Sequence, residues 1–149
     1  MPGWSVAAIL ALVLAGCSSR REPLPAACTG DPATIVAALR SAPDAVALPG
    51  GTRLSTCVSR ARTDGDLQSL GITFTRAADT LRGPARSDPA AAVQLGYLAG
   101  AVQAGAAAGS GNTRQLARRV EQLAALGDGA SAASEAALRR GLRAGRSSG

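Results

Sequence analysis

The sequence contains no histidine and no lysine, and these two absences remove more chemistry than any motif in it adds. Without histidine there is no Ser-His-Asp or Cys-His nucleophile system and no imidazole to hold a metal. Without lysine there is no Schiff-base amine and no P-loop lysine for a nucleotide phosphate. Aromatic residues make up 2% of the chain, and after the first 17 residues they are Phe74 and Tyr97 alone. That is too few for the stacking platform on which single-stranded nucleic acid is held, so nucleic acid is not an expected partner. Large aliphatics are also scarce. From Ser18 onward 24 of 132 positions are Leu, Ile, Val, Phe or Tyr, near the composition at which a chain stops burying enough area to offset its conformational entropy. The apolar fraction of 46% overstates the core, because 34 residues are Ala and another 18 residues are Gly. A core this thin calls for a staple.

What is present begins with Trp4 to Ala15, a mostly apolar run of 12 residues. It has the length of a signal h-region and falls short of the roughly 20 residues that span a bilayer as a helix. The run ends in Leu14, Ala15, Gly16 and Cys17. These four residues resemble the lipobox of bacterial lipoproteins, and the resemblance covers the signal and the cleavage site alone. It implies cleavage between Gly16 and Cys17, a diacylglyceryl group on the Cys17 thiol, and a protein held at the extracytoplasmic face of the cell membrane. Two or three acyl chains, each contributing about 0.8 kcal/mol per buried methylene, anchor a protein that a single chain would release. The chain departs from that pattern in one respect. No Lys or Arg precedes the run, while Arg20 and Arg21 follow it, a placement that opposes export; either basic residues lie upstream of Met1 or the signal is weak.

With Cys17 carrying lipid, Cys28 and Cys57 remain, an even pair in a chain facing an oxidising compartment, and a disulfide between them is expected. The alternative is two buried free thiols. Residues 1–16 read as signal, 17–27 as lipidated cysteine and tether, 28–145 as one helical domain, and 146–149 as a disordered tail. Helical patterns recur with no strand-like alternation, which predicts an all-α bundle of about five to six helices. Asp31 with Pro32 and Asp88 with Pro89 read as N-caps followed by proline at the first helical position. Ser55 is placed to cap a short helix carrying Cys57. Leu67, Leu70, Phe74, Ala78 and Leu81 form an amphipathic stripe that Gly83-Pro84 is expected to stop. The next helix carries Leu95, Leu98 and Val102 together with Gly96, Gly100, Gly105 and Gly109, a spacing that lets a neighbouring helix approach closely. Asn112 and Gln115 stand at capping-box spacing before a helix burying Leu116, Val120 and Leu123. A last helix, from about Ala132 to Ala144, carries Leu138 and Leu142.

Candidate chemistry is thin. Asp64 and Asp66 read as a turn and an N-cap rather than a cation site, and no carboxylate pair singles itself out for hydrolysis. "AAAGSGNTR" follows a helix rather than a strand and reads as a turn, not a phosphate cradle. No cofactor and no metal are expected. Charge carries the remaining signal: all 16 basic residues are Arg and the net charge is +6. Arg139, Arg143 and Arg146 share one helical face with Arg140 beside it, a basic surface suited to anionic headgroups or acidic cell-wall polymers. The sequence therefore points to a non-catalytic binding or scaffolding module, lipid-anchored at the envelope. One alternative is a small bundle with an apolar cavity lined by Leu95, Leu98, Val102 and Phe74. Another is a small Asp-dependent hydrolase.

Overall fold

The computed structural model describes Met1 and residues 22–149. The signal, the lipobox and Cys17 lie outside the described residues. Those residues form six α-helices, with no strand among them. Helix α1 spans Pro32–Ala38, and the Asp31 carboxylate accepts from the Ala33 N–H at 2.8 Å. The loop that follows turns back at Gly50 and Gly51, whose φ angles of 82° and 77° suit glycine, and closes with a single bridge between Leu48 and Thr52. Helix α2 spans Leu54–Arg60, α3 Asp64–Ala85, α4 Pro89–Ala106, α5 Gly111–Ala124 and α6 Ala132–Ser148.

Four local expectations are corrected. Ser55 lies inside α2 and caps nothing; its hydroxyl donates instead to the Gly149 carbonyl. Gly83-Pro84 does not stop α3, which runs on to Ala85. Proline excludes a helical conformation from the preceding residue through that residue's Cβ, and Gly83 has none. The start of α5 is Ser110–Gly111 rather than Asn112, with no side chain capping it. The ordered helix does not end near Ala144: α6 continues to Ser148, and Gly149 is buried. Residues 146–149 are therefore part of the fold.

The reason the tail is ordered is the seam between α4 and α6. Val93, Tyr97 and Ala101 of α4 face Gly141, Gly145 and Gly149 in the same chain direction, so the two helices run parallel. From the other side Gly96 and Gly100 face Leu138 and Leu142. At each of these glycines an added Cβ would overlap backbone of the partner helix: at Gly100 it would meet the Leu142 carbonyl oxygen and come within 2.9 Å of the Arg146 nitrogen. The contact is backbone on backbone, with five glycines providing the room. Gly105 does the same for α2, whose Ser55 and Val58 press against it.

Around this seam the larger side chains close a single core. Phe74, Leu95, Tyr97, Leu98 and Val102 are fully buried. The Tyr97 hydroxyl accepts from the Val46 N–H at 3.1 Å and hydrogen-bonds the Ser148 hydroxyl at 3.2 Å, so one buried polar tip joins the loop, α4 and the end of α6. Cys28 and Cys57 are joined in a disulfide with a Cα–Cα distance of 5.5 Å, and both are completely buried. The bridge fastens a short 3₁₀ turn, Ala26–Cys28, to α2.

Candidate functional site

One end of the bundle gathers α2, the C-terminal ends of α4 and α6, and the first turns of α5. The described chain enters the fold here. Glu22 forms an ion pair with Arg60 at 2.6 Å, and Leu24 and Ala27 pack against the core just before the disulfide. The second half of the expected tether is thus docked on the domain.

Arginines follow one another across this end. Arg62, exposed in the connection between α2 and α3, lines a hollow of about 480 Å³ together with Ser59, Gly109 and Ser110. The Arg114 guanidinium donates to the Gly109 carbonyl at 2.8 Å. Arg114 and Arg118 then border a second, shallower hollow of about 280 Å³ beside Gln103. The Gln103 amide oxygen accepts from Arg146 Nε at 2.5 Å, while its nitrogen donates to Glu121. A path of contacts therefore runs from the point where the chain enters, through α2 and α5, to the C-terminal turn of α6.

The four arginines singled out from the sequence are all exposed, as a basic surface needs, but they are not equivalent. Arg146 reaches across to Gln103 of α4 at the end just described, and Arg143 lies one turn before it on α6. Arg139 lies two turns from Arg146 with Glu135 at 3.8 Å, and Arg140 is about 100° around the helix from Arg139. Arg62, Arg114 and Arg118 share the surface with Arg146, but no spacing in the sequence joins three elements that meet only in the folded chain.

The remaining candidates take structural positions. Asp66 completes a capping box at the start of α3: its N–H donates to the Thr63 hydroxyl at 3.0 Å and its carboxylate accepts from the Thr63 N–H at 3.1 Å. Hydrogen bonds from the Thr63 backbone, its hydroxyl and the Arg62 N–H hold this carboxyl below the usual carboxylate range, against weak opposing desolvation. Because the folded value is lowered, the contribution to stability is present above the unfolded pKa of about 3.9 and lost as pH falls through the folded one. Asp66→Asn is expected to flatten the acid limb of the melting temperature below about pH 4, and an acid limb identical to that of the wild type would remove this role. The middle of the "AAAGSGNTR" segment, residues 107–110, is the turn between α4 and α5, and its last four residues open α5. Among the described residues no group of three His, Cys, Asp or Glu is placed to hold a metal, and no helix is long and apolar enough to cross a membrane. No family model, curated protein or solved structure matches the chain.

Proposed function

We propose that the protein is a lipid-anchored lipoprotein at the extracytoplasmic face of the cell membrane, acting as a non-catalytic binding or scaffolding module whose exposed arginines engage an anionic surface. The observation that carries this reading is the buried Cys28–Cys57 bridge. It engages two of the three cysteines and leaves Cys17, directly after Leu14, Ala15 and Gly16, as the one thiol for lipid. A disulfide also belongs to an oxidising compartment, where a lipoprotein of this kind would work.

Two features favour binding at the surface over the alternatives. The space beside the glycines of α4, where an apolar ligand would sit, is filled by the backbones of α6 and α2. Three aspartates that a hydrolase would draw on, Asp31, Asp66 and Asp88, each hold the start of a helix.

The anchor is tested by mass. The mature protein is expected to begin at Cys17 and to carry a diacylglyceryl thioether, while Cys17→Ala accumulates as an uncut precursor without lipid. A wild-type protein that starts at Met1 or Pro2 and carries no lipid would remove the reading.

A further inference from the structure

We infer that the molecule is oriented on the membrane, with the end that carries Arg62, Arg114, Arg118 and Arg146 turned toward anionic lipid headgroups. The inference rests on the lipid anchor proposed above and adds the face that the anchor selects.

The length of the tether restricts the orientation. Cys17 and Glu22 are separated by five peptide units, which span at most about 18 Å when fully extended. Glu22 is not free to wander, since it is paired to Arg60, Leu24 is packed on the core, and the disulfide follows at Cys28. Arg60 ends α2, the helix that lies against Gly105 near the C-terminal end of α4. The opposite end of α4 begins at Pro89, and an 18-residue helix is about 27 Å long. Were that opposite end on the bilayer, Glu22 would stand farther from the surface than the tether reaches. The inverted orientation is thereby excluded, and the charge on the α2 end selects among the rest.

The chemistry of that end suits anionic headgroups. The Arg62, Arg114, Arg118 and Arg146 side chains are all exposed. The acids among them keep their charge but are held in place: Glu22 is offset by Arg60, Asp66 is fixed on the Thr63 and Arg62 N–H groups, and Glu121 on the Gln103 amide. Asp64 is the remaining one. At the far end Asp88 caps α4, the Arg86 guanidinium donates to the Asp128 carbonyl, and Arg139 lies 3.8 Å from Glu135. Guanidinium groups bind phosphate through two parallel hydrogen bonds, and each basic residue near an anionic leaflet adds attraction within a Debye length.

Trypsin reads this orientation directly, because the chain has no lysine and is cut after arginine alone. The lipidated full-length protein is placed in phosphatidylcholine vesicles with or without about a quarter of phosphatidylglycerol. Cleavage after Arg62, between α2 and α3, is compared with cleavage after Arg86, between α3 and α4. The anionic lipid is expected to slow the Arg62 cut about fivefold relative to the Arg86 cut, the factor that roughly one basic residue contributes at such a surface. About 1 M salt, which shortens the screening length to about 3 Å, should abolish the difference. Joint replacement by Gln at Arg114, Arg118 and Arg146 should lower the protection, and Lys at the same positions should keep it. Circular dichroism checks the fold of both, and Arg118→Gln alone, at an exposed side chain, gives a milder variant with the same expected direction. Equal slowing at both sites, greater slowing at Arg86, or protection that ignores salt would overturn the orientation. Unmodified Cys17 in the starting protein would remove the anchor and the orientation together; lipidated Cys17 with equal cleavage would remove the orientation alone.

Discussion

Valine at Gly100 is expected to destabilise the domain by about 3 kcal/mol or more, beyond the usual range for a point substitution. The residue sits where α4 touches α6 backbone to backbone, and its new Cβ would lie on the Leu142 carbonyl oxygen and 2.9 Å from the Arg146 nitrogen. Neither atom belongs to a flexible side chain that can swing away. The helices must separate, and separation exposes the other seam contacts at Gly96, Gly141 and Gly145 in the same step. Gly71→Ala is the control of opposite sign. It lies within α3, its added methyl would meet only the Leu116 side chain at 3.9 Å, and it should stabilise by roughly 0.5 to 1 kcal/mol through helix propensity. Urea denaturation of both variants measures the pair. A Gly100→Val loss below about 1 kcal/mol, within the scatter of ordinary substitutions, would mean that the seam yields easily and that close approach is not what orders α6.

The seam also shows where the sequence was readable. Asp31-Pro32 and Asp88-Pro89 announce their helices because cap and proline act locally, and the glycines of α4 announce a close neighbour because their spacing is regular. The neighbour itself went unread. On α6 the large residues that the pattern offers are Leu138 and Leu142; their backbones meet Gly96 and Gly100 while their side chains stay half-buried, and the fully buried positions are Ser134, Ala137, Gly141 and Gly145. Hydrophobic periodicity looks for large side chains, whereas helices that meet through their backbones mark the contact with their smallest residues. The spacing of Gly141, Gly145 and Gly149 repeats that of Gly96 and Gly100, and that repetition was the available signal. Arg143 and Arg146 were legible as a helical face in the same local way. The partnership of Arg146 with Arg62 and Arg114 was not, since it depends on Gln103 and Gly109, which α4 and the turn after it bring between them.

Removing the disulfide is expected to lower the melting temperature by about 10 °C or more. Cys28 and Cys57 are 29 residues apart, and closing a loop of that length restricts the unfolded chain by about 3 to 4 kcal/mol in the chain-entropy account. For most domains that would be a fraction of the total; here alanine fills many of the buried positions and glycine the central seam, so the bridge supplies a large share. Cys28→Ala with Cys57→Ala is the suitable variant, because a serine hydroxyl at either fully buried position would lack a partner. Reduction of the wild type should give a similar shift without any change of side chain. The variant has a second, local consequence. The short turn Ala26–Cys28 would be left on α2 with the Glu22–Arg60 pair and the packing of Leu24 alone, and an exposed ion pair is worth at most about 1 kcal/mol. Hydrogen exchange at residues 24–30 should therefore rise more than in α4 of the same variant. Two titratable thiols in the unreduced, denatured protein, over and above Cys17, would show that the bridge does not form. A melting temperature unchanged by reduction would show that it forms without stabilising the fold, and the thin core would then have to be sufficient by itself.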